Sequence, residues 1–326
     1  MLLATGAIIA GFIILVWGAD RFVMGAAALA RNLGISPLLI GLTIVGFGTS
    51  APEILVSAMA AFGGNPSLAV GNAVGSNIAN IGLILGMTAL IAPLLFKSHV
   101  LRSEYPILLA ISAGVFLLLS DAKLSFSDGI IMLAGLAITL FLLVRIGLAR
   151  SASDPMIEEY DAEIRSDLST FAAAMWFVAG LALLLVSSRM LVWGAVEIAT
   201  ALGVSDLVIG LTIVAIGTSL PELAASIMSA RKDEPDIAVG NVIGSNIYNL
   251  LAVLCIPGLV AAPAISEDVI TRDLPVMLGL TLALFVMGRG RNGDGHINRV
   301  EGSVLLLCFL TYQGWLYIEA TRPVSA

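Results

Sequence analysis

Gly48-Thr49-Ser50-Ala51-Pro52-Glu53 returns later in the chain as Gly217-Thr218-Ser219-Leu220-Pro221-Glu222. Around these hexapeptides, residues 41–80 align without a gap on residues 210–249 at a constant offset of 169, and 23 of the 40 pairs are identical. The shared pieces are Gly-Leu-Thr-Ile-Val at 41–45 and 210–214, the Pro-Glu hexapeptide, and Gly-Asn-x-x-Gly-Ser-Asn-Ile-x-Asn at 71–80 and 240–249. Pro106 and Pro275 keep the same offset, so the duplication extends beyond the motif.

The motif sits in an apolar background. Of 326 residues, 59% are apolar and 12% charged, with a mean hydropathy of +1.02. A soluble domain is about 45–50% apolar and ~25% charged, so a water-soluble globule, a disordered chain and a coiled coil are all excluded. A spanning helix needs about 20 mostly apolar residues, and ten stretches qualify: 5–31, 37–62, 66–92, 103–120, 125–147, 171–201, 206–230, 235–262, 270–287 and 301–319. The N-terminus lacks a basic leader and its apolar run is long for a signal peptide, so it reads as a retained first span. A net charge of −7 gives no support for nucleic-acid binding. Cys255 and Cys308 lie in apolar stretches, which argues against a disulfide framework or thiolate metal site.

Lys and Arg in the short loops set the orientation. One set of alternate loops and span ends holds Arg31, Lys97, Arg102, Arg145, Arg150, Arg165, Arg231, Lys232, Arg289, Arg291 and Arg299, the other only Lys123, Arg272 and Arg322. The first set is assigned to the cytoplasm. The expected fold is therefore an all-α polytopic membrane protein with both termini outside. It comprises a first five-helix repeat over 1–148, a cytoplasmic linker over 149–169 and a second repeat over 170–326. Five is odd, so the halves are inverted, an architecture that recurs in secondary transporters. The linker carries Glu158, Glu159 and Asp161; charge-rich runs of this kind read as solvated hinges.

Each Pro-Glu motif falls near the middle of its span. Proline removes a backbone donor and clashes with the carbonyl four residues back, so Pro52 frees the Gly48 carbonyl and Pro221 that of Gly217. Such breaks are tolerated where they line a cavity. A carboxylate then follows, at a depth where it costs at least ~3 kcal/mol on insertion scales. Two of them at repeat-related positions call for one cause. A hard cation supplies it, since Ca²⁺ takes 6–8 oxygen ligands. Ser76 and Asn80 lie one helical turn apart, as do Ser245 and Asn249. With no His or Cys in the set, zinc and copper are disfavoured. Gly41, Gly71, Gly75, Gly210, Gly240 and Gly244 read as close helix contacts. Asn72, Asn77, Asn241 and Asn246 fit either bracing or ligation.

The doubled Gly-x-Gly-Thr-Ser-x-Pro-Glu (46–53, with Ala215 in first place of the second copy) and the following Gly-Asn-x-x-Gly-Ser-Asn resemble the alpha-repeats of the calcium/cation antiporter superfamily. The prokaryotic sodium/calcium exchangers and bacterial inner-membrane antiporters are the most similar. The resemblance implies ten helices in two inverted halves, with spans 2, 3, 7 and 8 as a core and long spans 1 and 6 sliding across it. It further implies exchange of Ca²⁺ for Na⁺ in the cell inner (plasma) membrane, with the two ions as substrates, the lipid bilayer as surroundings and no cofactor. By the same resemblance a central calcium site maps onto Glu53, Glu222 and the backbone carbonyls of Thr49 and Thr218. One flanking sodium site maps onto Gly46, Ser50, Glu53 and Ser76, the other onto Ala215, Thr218, Glu222 and Ser245, with Ser219 as the counterpart of Ser50.

Some exchangers carry Asp where this chain has Asn80 or Asn249. The centre therefore holds two formal charges, enough to balance one Ca²⁺. Protons, or a K⁺-linked exchange, are the alternative to sodium coupling, since a buried carboxyl can carry a proton. A cation channel is disfavoured because channels set symmetric subunits around an axis along the membrane normal. No enzyme is expected, because neither serine of the motif has a His nearby in sequence. Asp20, Arg21, Arg189 and Glu197, within long spans, read as charged tips reaching the interface. Residues 290–301 imitate an EF-hand loop but begin with Gly290, and Glu301-Gly302 answers to Asp128-Gly129, which has no such loop upstream.

Overall fold

A computed structural model describes residues 2–34, 37–96, 101–151, 168–202, 215–288 and 295–321. Among the described residues the chain is an all-helical polytopic membrane protein apart from one short two-stranded pairing, Leu94–Phe96 antiparallel to Gly295–Ile297, and an isolated bridge between Lys123 and Ala264. Six described helices are long and apolar enough to cross a membrane: Leu2–Leu33, Pro66–Ile91, Phe126–Arg145, Thr170–Ile198, Pro235–Val260 and Val269–Met287. The pair Gly41–Thr49 and Ala51–Phe62, bent by 48°, makes a seventh if counted as one span. Glu104–Leu119 is a shorter apolar helix, and Arg299–Thr321 closes the described chain.

Burial sorts these helices into a centre and a periphery. Within its most apolar window, Pro66–Ile91 is 72% buried and Pro235–Val260 83% buried, against 28% for Leu2–Leu33. The two repeat-related helices after the Pro-Glu motifs thus form the middle of the molecule. The peripheral helices turn large apolar side chains outward, including Ile9, Phe12, Ile13 and Val16 on one and Phe171, Met175 and Val178 on another. In water such a surface would be untenable; against lipid it needs no cover.

The two longest helices, Leu2–Leu33 and Thr170–Ala201, pack antiparallel through glycines. Gly11 meets Ser187 and Leu191, Gly18 meets Leu183, and Gly25 meets Ala173 and Phe177. A Cβ on Gly25 would sit 2.4 Å from the Phe177 amide nitrogen, and one on Gly180 2.5 Å from that of Phe22. Only a missing side chain lets the backbones come this near. Gly11, Gly18 and Gly25 answer to Gly180, Ser187 and Gly194 at the same offset of 169, a part of the duplication outside the 41–80 alignment.

Helix ends and turns gather in two groups. Arg31 pairs with Glu234 at 3.1 Å, Asn32 donates to the Leu168 carbonyl, and the strand at Leu94–Phe96 joins the one at Gly295–Ile297 while touching the Pro235–Tyr248 helix. Separately, Leu124 N–H donates to the Pro263 carbonyl and Ile265 N–H to that of Ala122.

Several readings meet their structural test here. Ser125 and Asp128 bond reciprocally at one helix start, and Asn298 and Glu301 do the same at another. Glu301 is thus engaged in a capping box; residues 290–294 of the EF-hand-like stretch lie outside the described residues, as do residues 152–167 of the 149–169 linker. Close backbone approach holds for Gly41, whose Cβ would meet the Ile237 carbonyl at 2.9 Å, and for Gly244, 2.3 Å from that of Leu42. It does not hold for Gly71 and Gly75, where no atom among the described residues would come within 4 Å. Gly210 falls outside the described set. Asp20 is no bare interfacial tip: it pairs with Lys232 at 2.8 Å, while Arg21 lies over the rings of Trp17 and Trp176.

Candidate functional site: a buried carboxylate pair between the repeats

The site begins at two helix breaks. The helix Gly46–Thr49 ends at Ser50, whose ψ of 3° departs from helical geometry, and Ala51–Phe62 restarts with Pro52 in its first turn. Ser219, with ψ of 7°, does the same between Ala215–Thr218 and Leu220–Arg231. Proline suits the first turn because its missing N–H has no partner there anyway. Glu53 and Glu222 follow in those first turns, both 1% exposed.

The two carboxylates engage across the repeats. Ser50 Oγ donates to Glu222 Oε1 at 3.4 Å, and Ser219 Oγ donates to Glu53 Oε1 at 3.5 Å. The two carboxylates are close enough for their charges to interact. The other oxygen of each, Glu53 Oε2 and Glu222 Oε2, is buried without a hydrogen-bond partner. A buried carboxylate oxygen in that condition costs several kcal/mol unless a cation or proton compensates it.

The neighbouring helices supply amides. Asn80 and Asn249 each open a π-helical turn, Asn80–Leu85 and Asn249–Val253, directly after the helices Pro66–Ala79 and Pro235–Tyr248. Such wide turns recur at functional sites. Asn80 Nδ2 donates to Asn246 Oδ1 at 2.9 Å, leaving Asn80 Oδ1 unpartnered; both amide atoms of Asn249 are buried and unpartnered. Four orphaned oxygens therefore belong to Glu53, Glu222, Asn80 and Asn249. Among the described residues, no three His, Cys, Asp or Glu side chains cluster. The donor set is hard and oxygen-only.

The remaining expected residues are placed less uniformly. Ser76 and Ser245 are buried on the two central helices, and Ser245 Oγ donates to the Gly46 carbonyl at 3.4 Å while lying 3.5 Å from Thr49 Oγ1. That Gly46 carbonyl also accepts the Ser50 N–H at 3.1 Å. Ala215 opens its short helix. The Gly217 carbonyl, expected to turn toward a cavity, is instead taken by Ser188 Oγ of the long helix at 2.6 Å. The reason is local: Pro221 removes the helical donor, and Ser188 stands where it can replace it.

The chain matches the family model described as sodium/calcium exchanger protein over residues 3–145 and 172–318. The chain belongs to the sodium/calcium exchanger family. Among curated relatives, the putative antiporter CaxA of Alkalimonas amylolytica is 49% identical over 97% of this chain and 99% of its own. The inner membrane protein YrbG of Escherichia coli is 46% identical over 97% and 98%, and the sodium/calcium exchanger MaX1 of Methanosarcina acetivorans 31% identical over 93% and 95%. The solved sodium-calcium exchanger NCX_Mj, soaked with Na⁺ and Sr²⁺, superposes with a TM-score of 0.82 at 33% identity, covering 99% of both chains.

Within this family member, sequence reasoning left one group of residues undecided. Asn72 Nδ2 donates to the Glu53 carbonyl at 3.2 Å and to Ser57 Oγ at 3.0 Å. Asn241 Nδ2 repeats the pattern with the Glu222 carbonyl at 3.3 Å and Ser226 Oγ at 3.1 Å. Ser57 and Ser226 were visible as identical pairs at the offset of 169, though nothing in the sequence said that they answer an asparagine 15 residues on.

Proposed function

We propose that the chain is a secondary antiporter that moves Ca²⁺ and Na⁺ in opposite directions, each competing for one cavity at the membrane midplane. The observation that carries this reading is the pair of buried glutamates, each with one carboxylate oxygen held by a serine of the opposite repeat and one without a partner. Two carboxylates neutralise one Ca²⁺ or two Na⁺, so either occupancy satisfies the same site and neither coexists readily with the other. Glu53, Glu222, Thr49 and Thr218 serve calcium. Ser50, Ser76, Ser219 and Ser245, with the carbonyls of Gly46 and Ala215, serve sodium at the flanks, and Asn80 and Asn249 face the centre.

The architecture proposed for this exchange is ten spanning helices in two inverted repeats, 1–148 and 170–326, joined by a cytoplasmic linker at 149–169, with both termini outside. The two groups of turns support it, since one gathers Arg31 and Lys232 and the other Lys123. The antiparallel glycine contacts between repeat-related helices agree with inversion. The cell inner membrane is the proposed location, and no enzymatic step is proposed.

Flux in proteoliposomes tests the assignment. An outward Na⁺ gradient is expected to drive Ca²⁺ uptake. Uptake driven by a pH gradient and not by Na⁺ would replace sodium with protons as the co-ion. Asn at both 80 and 249 favours that second reading, because no third acid joins the pair among the described residues to balance additional Na⁺. Ca²⁺ entry with no exchanging ion on the far side would indicate a channel.

A further inference from the structure

The duplicated asparagines decide between bracing and ligation by what their amides already do. Asn241 is buried and both of its N–H donors are taken, one by the Glu222 carbonyl and one by Ser226 Oγ, which in turn reaches the Ala238 carbonyl at 3.5 Å. Its oxygen receives Thr49 Oγ1 from the opposite repeat at 3.0 Å. Asn72 makes the same loop through Ser57 to the Ala69 carbonyl at 3.4 Å. Asn249, with neither amide atom engaged, is the contrast. Each motif glutamate lies in the first turn after a break at Ser50 or Ser219, with no continuous helix behind it to fix its position. An amide clamped to its carbonyl removes that freedom.

We propose that Asn72 and Asn241 are positioning residues of the ion site. Each fixes the backbone of its motif glutamate against a central helix, and Asn241 in addition sets Thr49 across the repeat boundary. This rests on Glu53 and Glu222 carrying the transported ion. Loss of an outer partner that orients a metal ligand typically costs 10–100-fold in affinity. Asn241→Ala is therefore expected to raise the KM for Ca²⁺ about tenfold at an unchanged maximal rate per folded molecule, and Asn72→Ala to raise it less. Ser226→Ala, which keeps the asparagine, should shift KM in the same direction by a smaller factor and covers the case in which Asn241→Ala fails to fold. Adding Thr49→Val to Asn241→Ala should change KM less than the product of the two single effects. A wild-type KM in Asn241→Ala and Ser226→Ala, with only the folded yield reduced, would overturn the positioning role. Absence of Ca²⁺ flux in the wild type under every gradient would overturn the transport reading beneath it.

A separate observation concerns charge. Two inverted repeats identical in sequence would make the two access states equal in energy, so a preference must come from where the repeats differ. Asp20 and Arg31 of the first long helix pair with Lys232 and Glu234 of the turn after Leu220–Arg231. Their counterparts at +169 or −169 are Arg189, Thr200, Gly63 and Asn65, which can form neither pair. We infer that these two ion pairs close one face preferentially, the face of the Arg31 and Lys232 turns, and must part before that face opens. The test is apparent Ca²⁺ affinity at each face of oriented proteoliposomes. Asp20→Asn combined with Glu234→Gln should move the ratio of the two affinities several-fold toward the Lys232 face, and the charge exchange Asp20→Lys with Lys232→Asp, which keeps both pairs, should leave it at the wild-type value. An unchanged ratio in the double variant would overturn the inference.

Discussion

Ser50 and Glu222 belong to different repeats, 172 residues apart, yet the hydroxyl of one donates to the carboxylate of the other inside a fully buried site. Ser219 returns the same bond to Glu53. Neither repeat completes a site alone; each lends a serine to the glutamate of the other.

Glu53→Gln and Glu222→Gln should each reduce Ca²⁺ transport to background while leaving a folded protein. A glutamine fills the same volume and can still accept from the opposing serine, so the loss is one of charge. Flux in proteoliposomes together with thermal unfolding in detergent separates the two effects. Retained transport by either variant would remove the pair from the ion path.

Asn249→Asp places a third formal charge where both amide atoms are unpartnered. The expected outcome is a changed co-ion requirement, either a steeper dependence on Na⁺ or a new dependence on pH, in flux measured with each gradient imposed singly. A co-ion profile identical to the wild type would show that Asn249 does not face the ions.

Ser188→Ala leaves the Gly217 carbonyl buried without its 2.6 Å donor. An orphaned buried acceptor costs about 1–3 kcal/mol, so the variant should unfold at lower temperature. Because the bond also ties a long helix to the break before Glu222, transport should slow beyond the loss in folded protein, as flux normalised to folded fraction would reveal.

Gly180→Ala would set a methyl 2.5 Å from the Phe22 backbone nitrogen, which no rotamer change relieves. Overpacking of this kind costs about 1–3 kcal/mol, and separation of the long helices should suppress exchange. Gly6→Ala, with nothing among the described residues within 4 Å, is the matched control and should behave as wild type.

Much of this was legible in the sequence for a plain reason. A carboxylate in an apolar run is expensive, so Glu53 and Glu222 stand out from composition alone, and duplication makes each confirm the other. The helix breaks were equally visible because proline acts on its own chain. What stayed hidden depended on partners far away in sequence. The four asparagines 72, 77, 241 and 246 look alike in a string; only their neighbours show that Asn241 is saturated while Asn246 bonds Asn80. The Gly217 carbonyl was rightly read as freed by Pro221, but its capture by Ser188 follows from packing of a helix that begins 47 residues earlier. The spacing of Gly11, Gly18 and Gly25 against Gly180, Ser187 and Gly194 was present in the letters and lay outside the aligned window.

The glycine contact between the two longest helices has a mechanical consequence. Backbones seated this closely, with no side chain to flex between them, leave the helices little freedom to move except as one body. Each of the two crosses the membrane from an opposite direction in the proposed topology, so one rigid lever reaches both surfaces. Under the proposed exchange, whatever uncovers the cavity toward one side would draw the same lever over the other. Simultaneous opening, which in the proposed exchange would dissipate both ion gradients, would then be opposed by stiffness, with no timing signal needed between two gates.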